Sequence, residues 1–128
     1  MRQINKIILH CSDSDIPAHD DISVIRKWHL ERGFNDVGYH WFITTNGKLQ
    51  YGRPIGDVGA HCRGHNHDSI GICLHGKEQF HSAQFGTLRK LLESLDFALR
   101  IKDVYGHCDF DIKKPFCPGF DYKKILAI

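Results

Sequence analysis

Residues 6–12, KIILHCS, form an apolar run that stops on a histidine. A near-continuous apolar segment of this kind reads as a β-strand covered on both faces, as inside a parallel sheet. Residues 103–107, DVYGH, repeat the arrangement near the other end of the chain. In open α/β sheets, ligands collect beyond the carboxyl ends of strands, and His10 and His107 both sit at such ends. If the two strands are parallel neighbours, their imidazoles converge; the sequence leaves that pairing open. Ten residues beyond His107 stands Cys117, in the setting PFCPGFD. Two imidazoles and one thiolate are the ligand chemistry of zinc held by three protein groups. The fourth tetrahedral position, left for water, is what separates catalytic zinc from structural zinc.

Working outward, Asp20 and Asp21 are N-cap candidates for a helix reaching about Arg32. Ile22, Ile25, Trp28 and His29 share one face of it, and Gly33 stops it. Residues 39–53, YHWFITTNGKLQYGR, read as two strands around Asn46-Gly47, a dipeptide whose members both tolerate positive φ. A loop rich in Gly and His runs from Pro54 to Asp68, and SIGICLH (residues 69–75) reads as another buried strand. Ser82 can cap a second helix in which Phe85, Leu88, Leu91, Leu92, Leu95 and Leu99 recur at helical spacing. A short helix from Asp121 ends the chain. This order predicts an α/β fold: a central mixed β-sheet of about five strands, flanked by two main helices plus a short C-terminal helix.

With 128 residues and 41% hydrophobic content, the chain is sized for one domain with its own core. A net charge of +2, from 17 basic and 15 acidic residues well interspersed, is too mild for nucleic acid. The opening apolar run is too short for a signal peptide or a membrane span, so synthesis in the cytoplasm and no membrane insertion are expected. Five cysteines without a CxxC pair argue against a disulfide framework and for a reducing compartment. Cys11 and Cys108 directly follow the two histidines, so strand alternation predicts that they point away from the metal, as small buried fillers. Cys73 gets the same reading; Cys62, in the loop, reads as exposed and without a role. Any single histidine is ordinarily a surface residue or a hydrogen-bonded core residue. His19, His65, His67, His75 and His81 are left at that.

The segments ILHCS, IRKWHLERGF, DVGYHWFI, NGKLQYGRP, VGAHCRGHNHDSIGICLHG, GHCD and CPGFD follow one another along nearly the whole chain. Together they resemble the zinc-dependent N-acetylmuramoyl-L-alanine amidases of the phage-lysozyme type, whose fold is shared with animal peptidoglycan recognition proteins. The resemblance implies one zinc ion on His10, His107 and Cys117. It places Tyr39 beside the zinc water and puts His61 and Asn66 along the substrate groove. It implies hydrolysis of the amide between N-acetylmuramic acid and L-alanine in peptidoglycan, as in a cell-wall lytic endolysin. Residues 1–128 would then be a single catalytic domain without a separate wall-binding domain, monomeric, acting on muramyl peptides of the wall after release or delivery. The mildly cationic balance suits such an anionic polymer.

In this chemistry, zinc lowers the pKa of bound water to about 7 and polarises the carbonyl. A tyrosine with a resting pKa near 10 suits a hydrogen-bonding role better than that of a free-standing base. One departure stands out. Phage amidases of this type often carry a catalytic lysine two residues before the cysteine, where this chain has Pro115. Lys114, one step further back, either takes that part by stabilising the oxyanion or is a solvated loop lysine. Two other readings are a non-catalytic peptidoglycan-binding module and a cytosolic amidase that recycles muropeptides. The first commonly lacks the cysteine ligand, and the second tends to use an aspartate there on a longer chain. Cys117 and the compact length weigh against both. A zinc endopeptidase of the stem peptide is a lesser option.

Overall fold

A computed structural model describes residues 2–127. Five strands, β1 (Lys6–Cys11), β2 (Trp41–Ile43), β3 (Leu49–Tyr51), β4 (Ser69–Leu74) and β5 (Val104–Gly106), form one sheet in the order β3-β2-β4-β1-β5. β1 runs parallel to both β4 and β5, β2 is parallel to β4, and only β3 is antiparallel. The mixed sheet expected from the sequence is therefore present, and the pairing left open there is parallel. The helices are α1 (Ile22–Glu31), α2 (Ser82–Leu99) and the short α3 (Tyr122–Leu126).

Side-chain alternation divides the sheet into two faces. Ile7, Leu9, Ile70, Ile72 and Leu74 pack against Leu88, Leu91 and Leu95 of α2 in the larger core. On the other face, Phe42 and Cys73 pack with Ile22 and Ile25 of α1 and with Val37. Asp21 caps α1 by accepting the Ser23 N–H (2.8 Å), and Gly33 just beyond it adopts φ +91°. Among the described residues, no helix is long and apolar enough to cross a membrane.

Local details depart from the expectations. α2 is capped from His81, not Ser82. Gln84 Oε1 accepts the His81 N–H (2.9 Å), while its buried amide nitrogen donates to His75 O (2.9 Å). The carboxamide thus satisfies the N–H of the N-cap residue itself, while Ser82 lies inside the first turn. In the hairpin only Gly47, at φ +83°, takes the left-handed conformation. Its N–H closes a turn onto Thr44 O (2.9 Å), and Thr44 N–H reaches Lys48 O (3.0 Å), so the loop is longer than two residues. β5 stops at Gly106, and His107 opens a 3-10 turn through Asp109. The Asp109 carboxylate accepts the Gly106 N–H (2.8 Å), which bends the chain one residue early. Cys62 is buried, not exposed.

Candidate metal centre

Leu9 of β1 lies opposite Gly106 of β5, so the next residue on each strand, His10 and His107, emerges beside the other. Their ring centroids are 4.5 Å apart. Cys117 is brought to the same point by main-chain bonds: Cys108 N–H donates to Cys117 O (2.9 Å), and Cys11 N–H points at its Sγ (3.4 Å). The donor atoms of His10, His107 and Cys117 all lie within 4.8 Å of one another. The three residues singled out from the sequence thus meet.

Proton counting along the hydrogen bonds behind His10 indicates which of its atoms is free. Ser69 Oγ gives its proton to His65 O (2.6 Å), so it can only accept from His61 Nε2 (3.2 Å). His61 Nδ1 is then an acceptor, and the His10 Nε2–H donates to it (2.8 Å). His10 Nδ1 keeps a lone pair for an ion, the arrangement by which a buried partner orients a metal-binding imidazole. Behind His107, Asp111 Oδ2 lies 3.5 Å from Nε2. Burial, reinforced by the neighbouring His61 and His107, pushes His10 well below the usual imidazole range. Burial, with His40 next, does the same to His61. Neutral imidazoles are the form that binds a metal. Two neutral nitrogens and one sulfur are borderline-soft donors and fit a zinc-like ion.

Tyr39 borders the site, its ring 5.0 Å from that of His10 and 5.4 Å from that of His29. Burial, then the thiols of Cys73, Cys117 and Cys11, push its hydroxyl well above the usual value, so it stays a hydrogen-bond donor. A cleft of about 1140 Å³ opens over this floor, with Arg32 and Phe34 among its lining residues and Lys113, Lys114, Phe116 and Phe120 among the others. Lys113 and Lys114 both line the cleft, but of the two only Lys114 acts on the metal site: burial and then the Lys114 charge lower the pKa of His107, against the opposing pull of Asp111.

The two residues expected along the groove are placed differently from each other. His61 borders the cleft, but it is only 9% exposed and both ring nitrogens are engaged inside the protein. Asn66 is not in the cleft wall; its Oδ1 accepts the N–H groups of His61 and Cys62 (2.9 Å each) and braces the loop. Two features escaped the sequence reading. Cys11 does not point away: its Sγ lies 3.9 Å from that of Cys117. It is the last residue of β1, where strict alternation no longer holds against a loop arriving from far along the chain. His61 packs directly on β4, where a Cβ at Gly71 would stand 2.6 Å from its ring. A lone glycine inside the strand SIGICL was the available signal, since such a residue often marks a close approach.

Residues 1–120 match the family described as N-acetylmuramoyl-L-alanine amidase. The chain belongs to that family. It is 36% identical over 126 residues to the endolysin of Enterobacteria phage T3, covering 92% of this chain and 82% of that one. The solved N-acetylmuramoyl-L-alanine amidase LysC from Clostridium intestinale superposes with a TM-score of 0.87 at 28% identity, covering 98% of this chain and 85% of LysC. Drosophila PGRP-LB superposes with a TM-score of 0.78 at 26% identity, covering 92% and 76%. The activity of this amidase is peptidoglycan hydrolysis, and the His10, His107 and Cys117 cluster is its candidate metal site.

Proposed function

We propose that this amidase is an endolysin-type enzyme that uses one zinc ion on His10 Nδ1, His107 and Cys117 Sγ to cut the amide between N-acetylmuramic acid and L-alanine. The observation that carries this reading is the hydrogen-bond chain from Ser69 through His61, which leaves His10 Nδ1 free beside His107 and Cys117 at the cleft floor. When bound, zinc supplies Lewis acidity toward the carbonyl and brings the pKa of water to about 7.

The chain's own groups do the rest. His61 and Ser69 hold the His10 ring in its tautomer. Tyr39 keeps its proton and donates a hydrogen bond at the reacting centre. The Lys114 ammonium, on the loop leading into Cys117, faces the cleft and favours negative charge developing on the carbonyl oxygen. Phage-borne delivery to a host cell wall goes with the endolysin reading.

Purified protein incubated with peptidoglycan should release new L-alanine amino termini, seen by mass spectrometry, and should contain one zinc per chain. Chelation should stop the release, and added zinc should restore it. Binding of wall fragments without new amino termini would favour the recognition-module reading. Tyr39→Phe with unchanged turnover would remove the tyrosine from the reaction. If Lys113→Ala is impaired and Lys114→Ala is not, the role belongs to the neighbouring lysine.

A further inference from the structure

The loop from His107 to Cys117 holds two of the most exposed apolar side chains in the protein, Ile112 at 94% and Phe116 at 85%. Phe116 also lines the cleft and directly precedes the Cys117 ligand. An aromatic ring carries a large apolar face whose burial is favourable, so leaving one in water beside a reacting centre sets it up to be covered by a ligand.

The other cleft aromatics are already used. Tyr39 lies against His10 and His29, and Phe34 lies against His29 and beneath Arg32. Phe120 packs with Phe80 and Phe85, and Tyr122 is buried in the core. Among the described aromatics lining the cleft, Phe116 and Tyr122 have no ring or cation packed on them, and of the two only Phe116 is exposed, since Tyr122 is 7% accessible. Its backbone is nonetheless fixed: Lys114 N–H donates to Asp111 O (3.0 Å), and Cys117 N–H donates to Lys114 O (3.3 Å). The ring is thus carried from a fixed point of the main chain beside Cys117, which lowers the backbone ordering cost of binding.

We infer that Phe116 is a substrate-binding residue that stacks on the pyranose ring of the muramoyl sugar; this rests on the amidase reading above. The covalent structure of the substrate leads there. The carbonyl to be hydrolysed belongs to a lactyl group joined by one ether oxygen to the sugar ring. With that carbonyl over Cys117, His10 and His107, the pyranose lies only a few bonds away, the reach of the residue next to Cys117. One face of a pyranose is a plate of C–H groups, which matches the π-face of a phenyl. The stem peptide begins with a methyl side chain followed by a carboxylate and offers no comparable plate.

The test compares the wild-type chain, Phe116→Ala and Phe116→Trp on two substrates: an N-acetylmuramoyl tripeptide and the same tripeptide capped by lactate alone. Phe116→Ala should raise KM for the sugar substrate about tenfold, with kcat little changed, the scale of one aromatic contact. It should leave the lactyl substrate unaffected, and Phe116→Trp should restore the sugar KM. Unchanged KM for the sugar substrate, or equal losses on both substrates, would overturn the assignment. Calorimetric Kd values for the muramoyl tripeptide, measured on the same three proteins after metal removal by chelation, make the same comparison without turnover. A wild-type chain that binds and does not cut refutes the amidase reading, and the Kd series still decides the role of Phe116.

Discussion

The two faces of the sheet are built from the same strands and solve opposite problems. Toward α2, Ile7, Leu9, Ile72, Leu88 and Leu91 meet side chain to side chain, and what matters there is volume. Residues of the other parity on β1, Ile8 and His10, lead toward the cleft, where His10, His29, His40 and His61 are all buried. What matters on that side is which ring nitrogen is engaged inside the protein and which is left free. Gly71 N–H donates to His40 Nδ1 (3.0 Å), and the His40 Nε2–H reaches Asp57 O (2.8 Å). Buried polar groups are costly when orphaned, whereas an apolar core loses stability smoothly with each missing methylene. The α2 face should therefore control how stable the amidase is, and the histidine face what it does.

That division can be broken by substitution. The largest effect belongs to Cys117→Ser, which removes the thiolate and should lower turnover of peptidoglycan on the order of 10³-fold or more, with loss of bound metal. Retained activity with full metal content would move the reaction elsewhere in the cleft. Next comes Leu88→Ala, which opens a cavity beneath α2 and should cost about 2–5 kcal/mol in denaturant unfolding. Its turnover per folded molecule should not change; a matching loss of kcat would mean the faces are coupled. A smaller effect is expected of His61→Ala, which leaves the His10 Nε2–H without its acceptor. Zinc affinity or activity should fall about 10–100-fold, and His61→Gln should recover part of it. Equal metal affinity in all three proteins would show that the His10 ring is held by something else.

How much of this could be read from the sequence follows the same line. β1 and β4 are legible because a strand covered on both faces must be apolar almost throughout, and such runs stand out. The convergence of His10 and His107 follows once β1 and β5 are parallel neighbours; Cys117 is added by the loop's own main-chain bonds. What stayed hidden depends on which particular side chain takes up a main-chain group or a gap, near or far along the chain. His107 falls one residue beyond β5 because the Asp109 side chain takes the Gly106 N–H. Cys11 turns toward Cys117 because that loop returns from the far end of the chain. His61 sits behind His10 because Gly71 leaves room for its ring, a fact of cross-sheet packing with no fixed spacing in sequence. Periodicity reports which side of an element is covered; it does not report what covers it.

The smallest expected effect is also the sharpest probe of the histidine face. His29 Nδ1 accepts the Gly38 N–H (2.7 Å), and burial, helped by Arg32 and Arg53, lowers its pKa to about 4. In the unfolded chain a histidine titrates near 6.5, so between the two values the unfolded state binds the extra proton. Stability from this group is complete above about pH 6.5 and drains away as the pH falls toward about 4. Thermal unfolding should thus shift downward by a few degrees between neutral and mildly acidic buffer. His40 and His61 are lowered as well, chiefly by burial, and add to the slope, so the informative quantity is a difference. His29→Gln keeps an acceptor for the Gly38 N–H but cannot be protonated, and its melting temperature should fall less steeply with pH than the wild type. Parallel slopes for the two proteins would mean that His29 accepts its proton without cost to the fold, and that the polar face is looser around α1 than its hydrogen bonds imply.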